Sequence, residues 1–168
     1  DIFSFEHPIG DYEYNCLLKA RTWVESISKY LIILDKGLNA RILYSETMNI
    51  LEKFGTKTET GYIPNNPNQK IIGIIDHGLL MRPETGRTQK EEIDLASSYI
   101  VTLKRKYNIS WFMLMQQNRE SSSMDRRKAD LSEPTLNDVK ATGAVAEDSD
   151  AVIQMFFPFR EKLVSYRG

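Results

Sequence analysis

A series of short, continuous apolar runs constrains this chain more than any other feature. Leu31 to Leu34 end at Asp35, Ile71 to Ile75 end at Asp76, and Trp111 to Met115 end at Gln116; Ala151 to Phe157 form a fourth run. Runs of this length without polar alternation suit strands buried on both faces, the pattern of a parallel sheet. Parallel strands need crossovers, usually helices, and helical patterns lie between the runs. Leu17, Ala20, Val24 and Ile27 make one apolar stripe. Asn39 is placed to cap a second helix running through Leu43, Ile50 and Phe54, with Gly55 as its terminator. Thr88 and Glu91 form a capping box for a third, with Ile93, Ala96, Ile100, Leu103 and Tyr107 on one face. The order predicts helix, strand, helix, strand, helix, strand, short helix, strand. That is an α/β doubly wound layout, in which ligands gather at the carboxyl ends of the strands.

The length, 168 residues, fits one domain. We read 1–168 as a single partial domain, with a helical lead-in over 1–29 and loops over 55–70 and 120–134. The first loop carries Gly61, Pro64 and Pro67 among Asn residues, and the second is rich in Ser, Arg, Lys and Asp. Lys and Arg number 22 against 23 Asp and Glu, for a net charge of -1, which excludes a globally basic nucleic-acid coat. No apolar run approaches the roughly 20 residues that span a bilayer. A single cysteine, Cys16, forms no internal disulfide, and with His7 and His77 it makes no zinc set. A reducing, cytoplasmic compartment follows as the default. The first residue is Asp and not Met, so the chain reads as a piece of something longer.

Asp76 ends the apolar run Ile71-Ile72-Gly73-Ile74-Ile75. A carboxylate at such a strand end either holds magnesium through water beside nucleotide phosphates or caps the following turn. Gln116 ends the next run, one helical crossover later. Its amide either reaches a terminal phosphate or its attacking water, or is satisfied by backbone. Arg119, Arg126, Arg127 and Lys128 make a basic loop suited to nucleic-acid phosphates, diluted by Asp125, Asp130 and Glu133; a solvated charge run is the competing reading. Glu147, Asp148 and Asp150 end a helix and enter a strand, and we assign them no chemistry. His77 reads as a packed or hydrogen-bonded group, and Trp111 and Phe112 as core. The sequence contains no GxxxxGK[ST] loop, so the chain alone has no conventional grip on β- and γ-phosphates.

Taken in order, three segments resemble the motor domain of DnaB-type replicative helicases, hexameric RecA-like ATPases, in a phage-like branch. Ile74-Ile75-Asp76-His77-Gly78-Leu79-Leu80-Met81 resembles the Walker B segment, with His77 where the family often has Tyr. Met115-Gln116-Gln117-Asn118-Arg119 resembles the Ser-Gln-Leu-Asn-Arg motif of the following strand. The run from Asp138 to Asp150, through Lys140, Gly143 and Glu147, resembles the family's Asp-Leu-Arg-Glu-Ser-Gly-Ser-Ile-Glu-Gln-Asp-Ala-Asp segment. Tyr30 to Asp35 and the helix after it resemble the strand and helix before Walker B, so the likeness covers residues 30 to 160.

The resemblance implies a partial RecA-like domain with a mostly parallel β-sheet flanked by helices. It implies ATP and Mg2+ as cofactors, single-stranded DNA as the track, and a homo-oligomeric, hexameric ring. A primase or loader is implied as a further partner, and the host cytoplasm as the location if the protein is phage-encoded. Asp76 would position the magnesium ion, Gln116 would sense the γ-phosphate, and Arg119 would stiffen the coupling between them and DNA. Lys140 and Gly143 would lie in the loop that touches the DNA backbone. Lys140 keeps the charge of the family's Arg without its bidentate fork, and Ala141 replaces the neighbouring Glu. The P-loop, the water-activating Glu and the basic finger would lie outside the chain, and Glu6 is not taken as that Glu. The full-length protein would be an ATP-dependent helicase, and the isolated fragment inactive. Two other readings stand beside this one: a RecA-family recombinase or clock-type ATPase, and a non-catalytic RecA-like module that binds DNA or a helicase partner.

Overall fold

The computed structural model describes residues 9–35, 37–118, 133–138 and 143–158. The chain divides into two units, Asp1–Lys36 and Gly37–Gly168. In the first, α1 spans Asp11–Ser28, with Asp11 and Glu13 in its first turn and no buried residue. Leu31 to Asp35 follow as irregular chain. The strand expected at Leu31 to Leu34 is therefore corrected. A strand exists only where a neighbouring chain accepts its ladder bonds, and among the described residues no ladder includes this run.

In the second unit, α2 (Ala40–Phe54) begins where expected: the Asn39 side chain accepts a hydrogen bond from the Ile42 amide at 2.8 Å. It ends at Gly55. There the stretch expected as a loop holds an antiparallel hairpin, β1 (Gly55–Lys57) and β2 (Tyr62–Pro64), in the register Gly55↔Pro64. The Thr58 hydroxyl accepts the Gly61 amide and closes the turn between them.

The chain then enters β3 (Ile72–Ile75), a 3-10 turn at Gly78–Leu80, α3 (Gln89–Tyr107) and β4 (Ser110–Met113). β3 and β4 pair in parallel, from Ile72↔Ser110 to Ile75↔Met113. This strand–helix–strand unit is the crossover that the apolar runs predict. The Thr88–Glu91 capping box forms as read from sequence. At the other end of α3, Asn108 takes the left-handed conformation (φ 55°), which Asn tolerates better than most residues, and its amide bonds to the Lys104 carbonyl.

Two apolar clusters hold this unit. Ala40, Leu43, Ile75, Met81 and Ala96 form one. Leu51, Leu103, Tyr107 and Ile109 form the other, and Trp111 packs against both. The predicted stripe on α3 is thus the buried one, with Ile100 partly exposed. Phe112, read as core, is 55% exposed, because alternate residues of β4 face away from α2 and α3. Gly73 stands opposite Trp111 in the ladder, and a Cβ there would lie 2.3 Å from the indole ring.

A second 3-10 turn, Leu136–Asp138, and a short helix α4 (Gly143–Asp148) follow. Asp148 accepts a hydrogen bond from Ser97 on α3 at 2.6 Å, and Asp150 pairs with Lys104 at 2.8 Å. Ala151 to Phe157 run on without strand pairing, so the fourth expected strand is also corrected. Among the described residues there are two separate two-stranded sheets, one a parallel pair and one an antiparallel hairpin.

Candidate nucleotide site at the carboxyl edge of the parallel pair

Asp76 lies one residue beyond the last rung of β3, and Gln116 three residues beyond the last rung of β4. Both are exposed. The two strand exits stay bonded after the ladder ends: the Leu114 amide donates to the Ile75 carbonyl at 3.0 Å, and the Gly78 amide donates to the Leu114 carbonyl at 2.9 Å. Gly78 is buried, and a Cβ on it would meet the Met115 sulfur at 2.6 Å. The residues after Asp76 and those before Gln116 are therefore pressed together at one end of the sheet. The Asp76–His77 peptide is cis. His77 is half-buried, and its Nδ1 has no hydrogen-bond partner among the described residues.

The start of α3 holds the segment that follows. The Gln89 side-chain amide donates to the carbonyls of Leu79 at 3.3 Å and Met81 at 2.7 Å. Glu92 is fully buried. One of its oxygens accepts the Ala40 amide at 2.7 Å, so that it caps α2 from a neighbouring helix. Its other oxygen accepts the Glu84 amide at 3.3 Å and faces Arg87 at 3.5 Å. A buried carboxylate is tolerated when donors surround it in this way. On the surface of the same turn, the Thr88 amide and hydroxyl hold the Glu91 carboxyl below the usual glutamate range, with a smaller contribution from Arg87.

Sequence reading missed Gln89 and Glu92. A signal for Glu92 exists: at 3.6 residues per turn it falls within about 40° of Leu103 and Ala96, inside the apolar stripe. An acid there needs a buried partner.

Beyond β4, the Gln117 side chain donates to the Met155 carbonyl at 3.1 Å, and the Asn118 amide donates to the Asp138 carbonyl at 2.7 Å. Gly143 opens α4, whose position is tied to α3 through Asp148. Arg119, Arg126, Arg127, Lys128 and Lys140 lie outside the described residues. Asp76 and Gln116 are thus the two expected site residues that the structure brings to one edge. Among the described residues, no three His, Cys, Asp or Glu side chains gather to hold a metal ion, and no helix is long and apolar enough to cross a membrane.

No protein-family model and no curated protein matches the chain. Among solved structures, it is similar to a DnaB-like replicative helicase whose interactions with primase are described. The TM-score is 0.65 at 20% identity, over 89% of this chain and 32% of that one. The chain spans about a third of the helicase chain that it matches. Together with the parallel pair and its helical crossover, this likeness establishes the fold as α/β, a partial RecA-like domain.

Proposed function

We propose that the chain is the Walker B half of a RecA-like motor, part of an ATP-dependent DNA helicase of the DnaB type and of its phage-like branch. One observation carries this reading. Asp76 and Gln116 follow adjacent parallel strands and share the edge where such sheets bind ligands, with the main chain after Asp76 bonded to the exit of β4.

The residues present suit a magnesium nucleotide. Mg2+ keeps several waters and takes one or two carboxylates plus phosphate oxygens, so a single exposed carboxylate on a fixed backbone fits, and a protein cage is not required. When bound, the ion would neutralise phosphate charge. Asp76 would hold it through water. Gln116 would donate its amide to the terminal phosphate or orient the attacking water, and Arg119 would stiffen that contact. On the DNA side, Lys140, Gly143, Arg126, Arg127 and Lys128 would track the backbone of a single strand, with charge contacts that weaken as salt rises.

In this reading the P-loop, the catalytic Glu and the basic finger come from sequence outside the chain, as the missing GxxxxGK[ST] and the 32% coverage of the helicase suggest. The assembly is a homo-hexameric ring. A primase is the proposed protein partner, because the similar helicase is described with one; a loader is the other. The protein works in the cytoplasm, of the host if it is phage-encoded.

The test is Asp76→Asn in the full-length protein. Losing one charge at the metal should lower ATP turnover at least about a hundredfold with the fold intact. Near-normal turnover sinks the assignment. A second reading, a non-catalytic RecA-like module that binds DNA or a helicase partner, is favoured by the missing GxxxxGK[ST]. It predicts DNA or helicase binding with no hydrolysis in the unmutated full-length protein.

A further inference from the structure

We propose that Asp138 is a positioning residue for the exit of β4. Through that exit it sets Gln116, so the functional part of this inference rests on the reading of Gln116 above. The turn Thr135-Leu136-Asn137-Asp138 is closed in the manner of a capping box. The Asp138 carboxylate accepts the Thr135 amide at 2.6 Å and the Thr135 hydroxyl at 3.0 Å, and the Asp138 amide returns to the Thr135 carbonyl at 2.9 Å. Asp138 is buried at 6% exposure. Its own carbonyl, aimed by this closed turn, accepts the Asn118 amide at 2.7 Å.

Asn118 lies two residues beyond Gln116. The ladder itself stops at Met113, and its last continuation toward β3 is made by Leu114. Beyond Leu114 the backbone is tied again at Gln117, which forms an isolated bridge, and at Asn118 through its bond to Asp138. A second tie supports it from the same side: Gln117 donates to the Met155 carbonyl, and neighbouring Gln154 donates to the Thr135 carbonyl. The exit of β4 is therefore clamped to a turn that the Asp138 carboxylate helps to close. An Ala at 138 leaves the Thr135 amide without its acceptor and the turn free to reorient its carbonyl. An Asn at 138 keeps an oxygen for that amide.

Two measurements test this. In the 168-residue chain, amide hydrogen exchange is read by NMR. Asp138→Ala should speed exchange at Asn118 by about tenfold or more while Leu114 stays protected, Thr135→Ala should give a smaller rise, and Asp138→Asn should restore protection. Equal protection of Asn118 in Asp138→Ala and the parent overturns the clamp. Should Asp138→Ala not fold, Thr135→Ala decides the same question.

In the full-length protein, Asp138→Ala should lower kcat for ATP about tenfold with KM within about twofold, because in this reading Asp138 acts through Gln116 and not on the nucleotide. Gln116→Ala is measured beside it. If Gln116→Ala loses turnover and Asp138→Ala does not, Asp138 only shapes its own turn, and the proposal falls. If neither loses turnover, the sensing role of Gln116 falls and takes the functional half of the proposal with it, while exchange at Asn118 still reports on the clamp.

Discussion

The two faces of the β3–β4 pair are built from alternate residues of the same strands, yet they meet different surroundings. On one face, Ile75, Trp111 and Met113 pack with α2 and α3 around Leu43, Met81 and Ala96. On the other, Ile72, Ile74, Phe112 and Leu114 are 58%, 68%, 55% and 47% exposed. Both faces are apolar. The strands are therefore patterned for a sheet covered on both sides, and within the described residues of Gly37–Gly168 α2 and α3 cover one. Contiguous exposed apolar surface of this kind is unusual on a free-standing domain.

The sharpest way to break this comparison is to cut one residue from each side. Leu103 is fully buried against Leu51 and Tyr107. Leu103→Ala should cost about 2–5 kcal/mol of stability, read as a lowered denaturant midpoint. A loss as small as that of a surface residue would mean that the α3 interface is not the core. Gly73→Ala comes next. Its new methyl would strike the Trp111 ring, at a cost of about 1–3 kcal/mol. Trp111→Leu in the same chain should recover part of that cost, giving a non-additive double mutant; strict additivity would show that the ring and the glycine do not meet.

On the bare face, Ile74→Lys should change stability by no more than about 0.5 kcal/mol while reducing hydrophobic-dye binding. A loss of several times that size would reveal a cover over this face. The smallest effect belongs to the α3 cap. Hydrogen bonds from Thr88 depress the Glu91 carboxyl in the folded chain, so its contribution is complete above the ordinary glutamate range and disappears as pH falls through the lower, folded value. The Thr88 amide shift should therefore titrate at a pH below that of a free glutamate. Glu91→Gln should remove the titration and keep most of the cap, and a midpoint at or above the free value would contradict the hydrogen bonds.

Legibility in the sequence followed the range of the forces involved. Asn39 and Thr88–Glu91 marked helix starts because a cap is chemistry within four residues. β3 and β4 were legible as apolar runs closed by Asp76 and Gln116, and so were these two candidate site residues. Leu31 to Leu34 and Ala151 to Phe157 carry the same signal without forming strands, since pairing depends on a partner that a local run cannot name. The hairpin at Gly55–Pro64 was hidden by its Gly, Pro and Asn content. Gln89 and Glu92 act on main-chain groups up to 52 residues away, which no local pattern encodes. Asp138 was legible in principle, because Thr135-x-x-Asp138 repeats the signature that was read at Thr88-x-x-Glu91.

The glycine facing the tryptophan has a further consequence, for the register in which the two strands meet. A one-residue slip of β4 along β3 would turn Trp111 to the opposite face. A two-residue slip would set the indole against Ile71 or Ile75, where a branched side chain occupies the space that Gly73 leaves open. Gly73 and Trp111 thus work as a proofreading pair. They favour one alignment of the strands, because either neighbouring register would crowd the indole or turn it away from the core.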